Sequence, residues 1–291
     1  LRSVNDKDLV DETISIWKPD TIFHSAAYKH VSLVEQNIIE GIKTNFFGTL
    51  NFFNSCIANK VSTFVFISTD KAVMPTNTMG ASKRLAEMYL QSLNQYKKDE
   101  SITNLSIVRF GNVLDSSGSV IPIFKKQILY GGPITLSHRD ATRYFMTIPE
   151  ASALVIQASA MLKNNEIFVL DMGKPIKILD LALKMIRFSG LSLKDKSNPN
   201  GDISIMIKGL YPGEKLHEDL LIGKNPLPTE HPKISKVNDS LIAFEILDKK
   251  INELKILIKN RKIEEILKFL NKLSDEFNLK DNRMDWNLKK K

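Results

Sequence analysis

Short apolar runs alternate with longer stretches of helical spacing along the first part of the chain. Thr21-Ile22-Phe23-His24-Ser25-Ala26-Ala27 is a compact run after the charged, helix-like segment from Asp6 to Lys18, and Thr63-Phe64-Val65-Phe66-Ile67-Ser68 is the next. The stretch between them, Glu40 to Asn59, reads as a helix. Gly80 to Tyr96 places Leu85, Met88, Tyr89 and Leu93 at helical spacing and leads to a third run, Leu105 to Phe110. Strand, helix, strand, helix, strand predicts a parallel sheet with helices on its faces.

After Phe110 the rhythm loosens. Gly131-Gly132-Pro133 reads as a turn, Pro149 to Leu162 as a helix, Glu166 to Leu170 as a strand and Ile178 to Ser189 as a further helix. Lys194 to Gly201 is a polar loop, Asp202 to Lys208 alternates as a strand, and Glu214 to Leu221 is expected to be a short helix. Leu254, Ile258, Leu267 and Leu270 give Ile251 to Phe277 the pattern of an amphipathic helix or helix pair.

Composition narrows the picture. A chain of 291 residues, 43% hydrophobic and 25% charged, is globular. Cys56 has no second cysteine to pair with, so a reducing compartment is expected, with no redox role and no metal site. The sequence contains neither an apolar run of membrane-spanning length nor a signal peptide at its start. The larger part of the net charge of +8 falls in residues 247–291, which hold only three aromatic residues. That surplus reads as the solvated face of a basic helix, and no nucleic-acid partner is expected.

Parallel α/β sheets bind ligands at the carboxyl ends of their strands. Three such ends are polar here: Ser25 to His30, Ser68-Thr69-Asp70-Lys71, and Gly111-Asn112. Ala26 and Ala27 suit close approach of a flat cofactor or, equally, tight helix packing. Four consecutive polar residues from Ser68 to Lys71, a carboxylate beside an amine, point to chemistry. Met79 and Lys83 lie one helical turn apart on one face of the following helix. That spacing carries a tyrosine and a lysine in a large class of nicotinamide enzymes, and a methionine has no proton to exchange.

The segments FHSAAYKHV, TNFFGTLN, STDKAVMPTNTMGASKR, VRFGNVLDSSGSV, TRYFMTIPEA, FVLDMG and PGEKLHEDL, in this order, resemble the extended short-chain dehydrogenases/reductases. Within them, the resemblance is to the CapD-like nucleotide-sugar 4,6-dehydratases of polysaccharide biosynthesis, over residues 21–234. It implies an α/β, Rossmann-type doubly wound parallel sheet with a smaller substrate-binding lobe. It also implies NAD as a tightly held cofactor and UDP-N-acetylglucosamine as the substrate converted to a 4-keto-6-deoxy sugar. Met79 matches the membrane-anchored branch of that group, which carries methionine at the tyrosine position.

The implied reaction is an internal redox cycle: hydride leaves C4, the C5 proton is abstracted, water leaves from C6 and the hydride returns to C6. By match to the family motif, Asp70 protonates the leaving hydroxyl, Lys71 is the C5 base, Thr69 hydrogen-bonds the C4 oxygen, and Met79 and Lys83 complete the catalytic group. Lys83 is the neighbour expected to favour neutral Lys71, with Asp70 pulling the other way. The base for the C4 hydroxyl stays open between Asp70, Lys71 and a water. Ala26, Ala27, Asn45, Ser68 and Lys83 are the implied cofactor contacts. Lys29, His30, Asn112, Arg143, Glu214 and Lys215 are the implied substrate contacts, with a structural His30 and a packing role for Asn45 as alternatives. Tyr211 stands where many members have arginine.

None of the thirteen glycines forms G-x-G-x-x-G or the related G-x-x-G-x-x-G. Arg2 to Asp6 resembles the family segment after its third strand. The chain is therefore expected to be a fragment lacking the first strands of the cofactor fold, inactive by itself, with the strand at Thr21 left as an exposed edge. The expected division is a cofactor-binding core over 1–172 with 115–145 contributing to the substrate lobe, a sugar-nucleotide lobe over 173–246 and a basic helical tail over 247–291. A cytoplasmic homo-oligomer is expected, with any membrane anchor in preceding segments. The alternatives are an epimerase or reductase of the same superfamily, or an inactive binding module.

Overall fold

The computed structural model describes residues 3–97, 103–162, 165–220, 226–239 and 241–281. Three strands open the main sheet: β1 (Thr21–His24), β2 (Thr63–Ile67) and β3 (Asn104–Arg109). They pair in that order, all parallel, and Glu166–Leu170 continues the parallel sheet beyond β3. Ile234–Val237 then pairs antiparallel with Glu166–Leu170, and Leu227–Pro228 closes that side. The sheet thus draws on residues on both sides of position 172. On the other side β1 is the edge, with the Phe23 side chain 45% exposed.

Alternation along the strands sorts the core into two layers. Phe64, Phe66, Leu105, Ile107, Ile167 and Val169 face one cluster, and Val65, Val108, Phe168 and Leu170 face the other. The first layer is closed by Lys7–Trp17, Thr49–Ala58 and Thr78–Tyr96, the second by Ile148–Ala160. Helices on both faces of a parallel sheet are the doubly wound arrangement expected from the alternating pattern.

A separate small core forms where Phe124 and Ile128 of helix Val120–Leu129 meet Ile134, Leu136, Ala182, Ile186 and Ile203. This lobe also carries the parallel pair of Ile134–Leu136 and Ile205–Ile207. The basic C-terminal segment is a helix pair, Phe244–Lys259 and Ile263–Leu273. Its apolar face is not left to solvent: Leu247, Ile251, Leu254, Ile266 and Leu270 join the first core layer beside Leu85 and Tyr89.

Two expected elements differ. The stretch read as one helix from Glu40 to Asn59 is helical but contains a wide π turn at Lys43–Gly48, a feature that re-aims side chains within a helix. The helix expected from Glu214 does not form over the described residues 214–220, and Leu221 lies outside them. Its polar groups are committed to other segments. The Leu216 carbonyl accepts from the Thr142 amide and the Arg143 guanidinium, Glu214 receives Arg143, and the Lys215 ammonium donates to the Val73 carbonyl. These tertiary partners replace the helical ladder.

Candidate active site

The site grows from the end of β2. After Ile67 the chain passes Ser68 and Thr69 into a single 3₁₀ turn, Asp70–Ala72. Thr69 Oγ1 accepts from the Lys71 amide at 3.4 Å and donates to Asp70 Oδ1 at 2.9 Å. The Asp70 amide donates to the Phe110 carbonyl at 3.0 Å, which ties this turn to the end of β3. Asp70 is 0% exposed. Lys71 Nζ reaches Asp70 Oδ1 at 2.9 Å, Asn112 Oδ1 at 3.2 Å and Glu218 Oε1 at 3.8 Å. Asp70 Oδ2 is buried, accepts no hydrogen bond among the described residues, and lies beside Gly111.

The helix Thr78–Tyr96 supplies the opposite wall. Its first turn is fixed by Asn77, whose side chain accepts from the Gly80 amide at 2.8 Å, and by the Glu35 carboxylate, which accepts from the Thr78 amide. Gly80 packs directly on the Lys71 carbonyl, a position with no room for a Cβ. Met79 and Lys83 both line the cleft from this helix. The Lys83 ammonium sits 3.8 Å from the centroid of the Phe66 ring, and burial pulls its pKa down to about 7 against the opposing pull of Glu87. His24 is held at about 3 by burial and by Lys83, so it is neutral; its Nε2 is 2.9 Å from Thr49 Oγ1.

Lys71 behaves differently from the expectation that Lys83 would make it neutral. Burial draws its pKa down, but the Asp70 and Glu218 carboxylates outweigh burial and hold it above the ordinary lysine value. Of the two amines it is Lys83 whose ammonium form is weakened, because among the described residues only Lys71 has carboxylates within ion-pair distance.

These walls enclose a cleft of about 590 Å³ that continues onto the small lobe. Ser68, Thr69, Lys71, Met79, Lys83, Ala27, Lys29, His30, Asn112, Arg143 and Glu214 all line it. Ala26, Asp70, Asn45 and Lys215 do not. Asn45, in the π turn, accepts from the Tyr28 amide and donates to the Tyr28 carbonyl and to Ser82 Oγ, so it braces the loop after β1 against the helix Thr78–Tyr96. Lys215 is turned to Val73 and Asp219, beside a second depression that also includes His217 and Lys280. His30 packs on Gly118, while Lys29 donates to Ser116 at 3.4 Å, so the loop after β1 meets the 115–119 loop across the cleft. Arg143 and Glu214 are bonded to each other at 2.7 Å.

Two groups escaped the sequence reading. Glu218 is 7% exposed and stands behind Lys71 and Arg143; burial raises its pKa despite both cations. Its motif was noticed, but only Glu214 and Lys215 were taken from it. At the helix Thr78–Tyr96, Arg84 and Arg109 share Glu87 and Asp239, and Arg84 also binds Glu276. Burial pushes the Glu87 carboxyl up, but the two arginines outweigh it and hold it below the usual range. A charged Arg109 at the end of an apolar strand was the available signal. Among the described residues, no group of three or more His, Cys, Asp or Glu could hold a metal ion, and no helix is long and apolar enough to cross a membrane.

A family model described as polysaccharide biosynthesis protein matches residues 1–239. The capsular polysaccharide biosynthesis protein CapD of Staphylococcus aureus is 47% identical over 274 residues, covering 94% of this chain and 43% of the relative. The chain therefore spans less than half of that protein's length. A UDP-glucose 4-epimerase of Rickettsia rickettsii is 36% identical across 69% of this chain and 55% of its own. An inverting UDP-N-acetylglucosamine 4,6-dehydratase of Campylobacter jejuni is 32% identical across 75% of this chain and 60% of its own. Among solved structures, Pen from Bacillus thuringiensis superposes with a TM-score of 0.69 at 36% identity, covering 81% of this chain and 69% of that one. With the doubly wound sheet and the cleft at its strand ends, these matches place the chain in the polysaccharide biosynthesis protein family, on the short-chain dehydrogenase/reductase fold.

Proposed function

We propose that the chain carries the catalytic centre of a 4,6-dehydratase acting on UDP-N-acetylglucosamine. The observation that supports this most is the Asp70–Lys71 pair, an acid and a base 2.9 Å apart at a strand end, opposite the non-titrating Met79. Elimination across C5 and C6 needs one group to take a proton and another to give one. Lys71 is held as the ammonium by its carboxylates, so a proton must first pass from Lys71 Nζ to Asp70, a transfer that makes both required forms at once. Lys71 then accepts the C5 proton, Asp70 donates to the departing C6 hydroxyl, and Thr69 Oγ1 offers a hydrogen bond to the C4 oxygen.

The cofactor this reading requires is NAD, which when bound accepts a hydride from the sugar and returns it. The residues present fit its nicotinamide end: Ser25 and Ala27 leave backbone-level space in the cleft, and Lys83 is held on the facing helix for a ribose hydroxyl. Arg143 and Glu214 are the contacts we assign to the UDP-sugar, and a homo-oligomer is the assembly we expect.

An epimerase is the competing reading, since one relative bears that name. It would have no use for a paired acid and base at C5 and C6. Incubating the protein, in the longest form its gene encodes, with UDP-N-acetylglucosamine in deuterated water separates the two. A 4-keto-6-deoxy product with deuterium at C5 is expected; a C4 epimer free of solvent deuterium overturns the dehydratase.

A further inference from the structure

Glu218 is a buried carboxylate with no role in the chemistry described so far. Its Oε1 lies 3.8 Å from Lys71 Nζ and 3.9 Å from Arg143 Nε, and its Oε2 is buried without a hydrogen-bond partner among the described residues. Such a group is costly to bury unless its charge acts on a neighbour. Its place is built from several directions. Leu216 accepts from Thr142 and Arg143, His217 Nδ1 is 2.8 Å from Thr142 Oγ1, and Leu220 packs against the core on either side.

We propose that Glu218 is a positioning residue for Lys71, a second carboxylate that holds the ammonium group in the cleft and governs when it gives up its proton. Asp70 cannot serve this purpose alone, because it must itself become the acid. Once Asp70 takes a proton, Glu218 is the remaining carboxylate near Lys71 among the described residues, so the amine stays placed while its first partner is neutral. The charged groups acting on Lys71 are Asp70 from its own turn, Glu218 from the 214–220 segment and Arg143 from the adjoining strand. Lys83, on the helix Thr78–Tyr96, lines the same cleft.

The burial of Glu218 and its approach to Lys71 are independent of any reaction, but the use assigned here rests on the dehydratase reading. The test needs no substrate. Competitive acylation of the chain with trace acetic anhydride across pH, read by mass spectrometry of the Lys71 peptide, gives the titration midpoint of that amine. Glu218→Gln should lower the midpoint by about one pH unit, since a carboxylate at this range favours the ammonium form. Lys83, buried over Phe66, serves as the folding control. An unmoved Lys71 midpoint with an unmoved Lys83 profile overturns the proposal. Should the Gln variant fail to fold, Glu218→Asp answers the same question: the carboxylate withdraws by one methylene, a smaller fall is expected, and none overturns it. Failure here leaves the C5 deuterium result standing, and failure there leaves this result standing, so the two readings are judged apart.

Discussion

Lys71 Nζ lies 2.9 Å from Asp70 Oδ1, while Oδ2 of the same carboxylate is buried and accepts no hydrogen bond among the described residues. One oxygen holds the Lys71 ammonium, and the other has no protein donor among the described residues. On the proposed reading, this pair supplies acid and base without a tyrosine at position 79. The methionine there is 4% exposed and contributes shape to the cleft wall.

The division of labour follows. In the active protein, Lys71→Met should lower turnover by about 10²–10⁴-fold and abolish deuterium exchange at C5, as expected for removal of a general base. Met79→Leu should remain within about tenfold of the parent, because it keeps an apolar side chain of similar volume. A loss in Met79→Leu as deep as in Lys71→Met, with both variants folded, would show that the roles are misassigned.

Gly80 bears on the same pair through the backbone. A Cβ there would collide with the Lys71 carbonyl, which belongs to the backbone and cannot swing aside. Gly80→Ala should therefore cost about 1–3 kcal/mol by overpacking, read as a lower urea midpoint, and should raise the accessibility of Lys71 to acylation. A variant as stable as the parent would contradict this packing.

Lys83 makes stability depend on pH in a defined direction. Its pKa is about 7 in the fold against 10.5 for an ordinary lysine, so between those values the unfolded chain binds the extra proton. Stability then rises with pH across that window, and below about 7 the cost of the buried ammonium is fully present. Urea midpoints from pH 7 to 10 should climb in the parent relative to Lys83→Met. Parallel curves for the two proteins would rule this out.

The buried ion network predicts a larger effect. Glu87→Gln removes the carboxylate shared by Arg84 and Arg109, which are 1% and 0% exposed, leaving both arginines with less compensation. Breaking a buried ionic group by removing one partner costs about 3–5 kcal/mol. Glu276→Gln, whose side chain is 19% exposed, should cost clearly less. Equal losses measured by denaturant unfolding would mean that the network is not the source.

Much of the fold was legible because strands and helices announce themselves locally. Thr63–Ile67 and Asn104–Arg109 lie within one residue of the apolar runs that predicted them, and Glu166–Leu170 matches its run at both ends. The candidate site's motif was legible for the same reason. Thr69, Asp70 and Lys71 are consecutive, and Met79 and Lys83 are one helical turn apart, so their relation survives without knowledge of anything distant. Where long-range bonds compete with local pattern, the sequence misled: Glu214 to Leu220 has a helix-like composition, yet its groups serve Arg143, Val73 and Thr142.

The order of apolar and polar positions determined by itself that a parallel sheet would form and that a carboxylate and an amine would stand at the end of its second strand. Only the tertiary structure decided which other groups reach them. Asn112 comes from 41 positions away to meet Lys71, and Glu218 arrives from the 214–220 segment. It also decided the charges: Lys71 and Lys83 are the same residue type in one cleft, but carboxylates hold the first above its ordinary pKa and burial draws the second to about 7. Protonation depends on burial and on neighbours brought together by folding, and neither is written in the local spacing of residues.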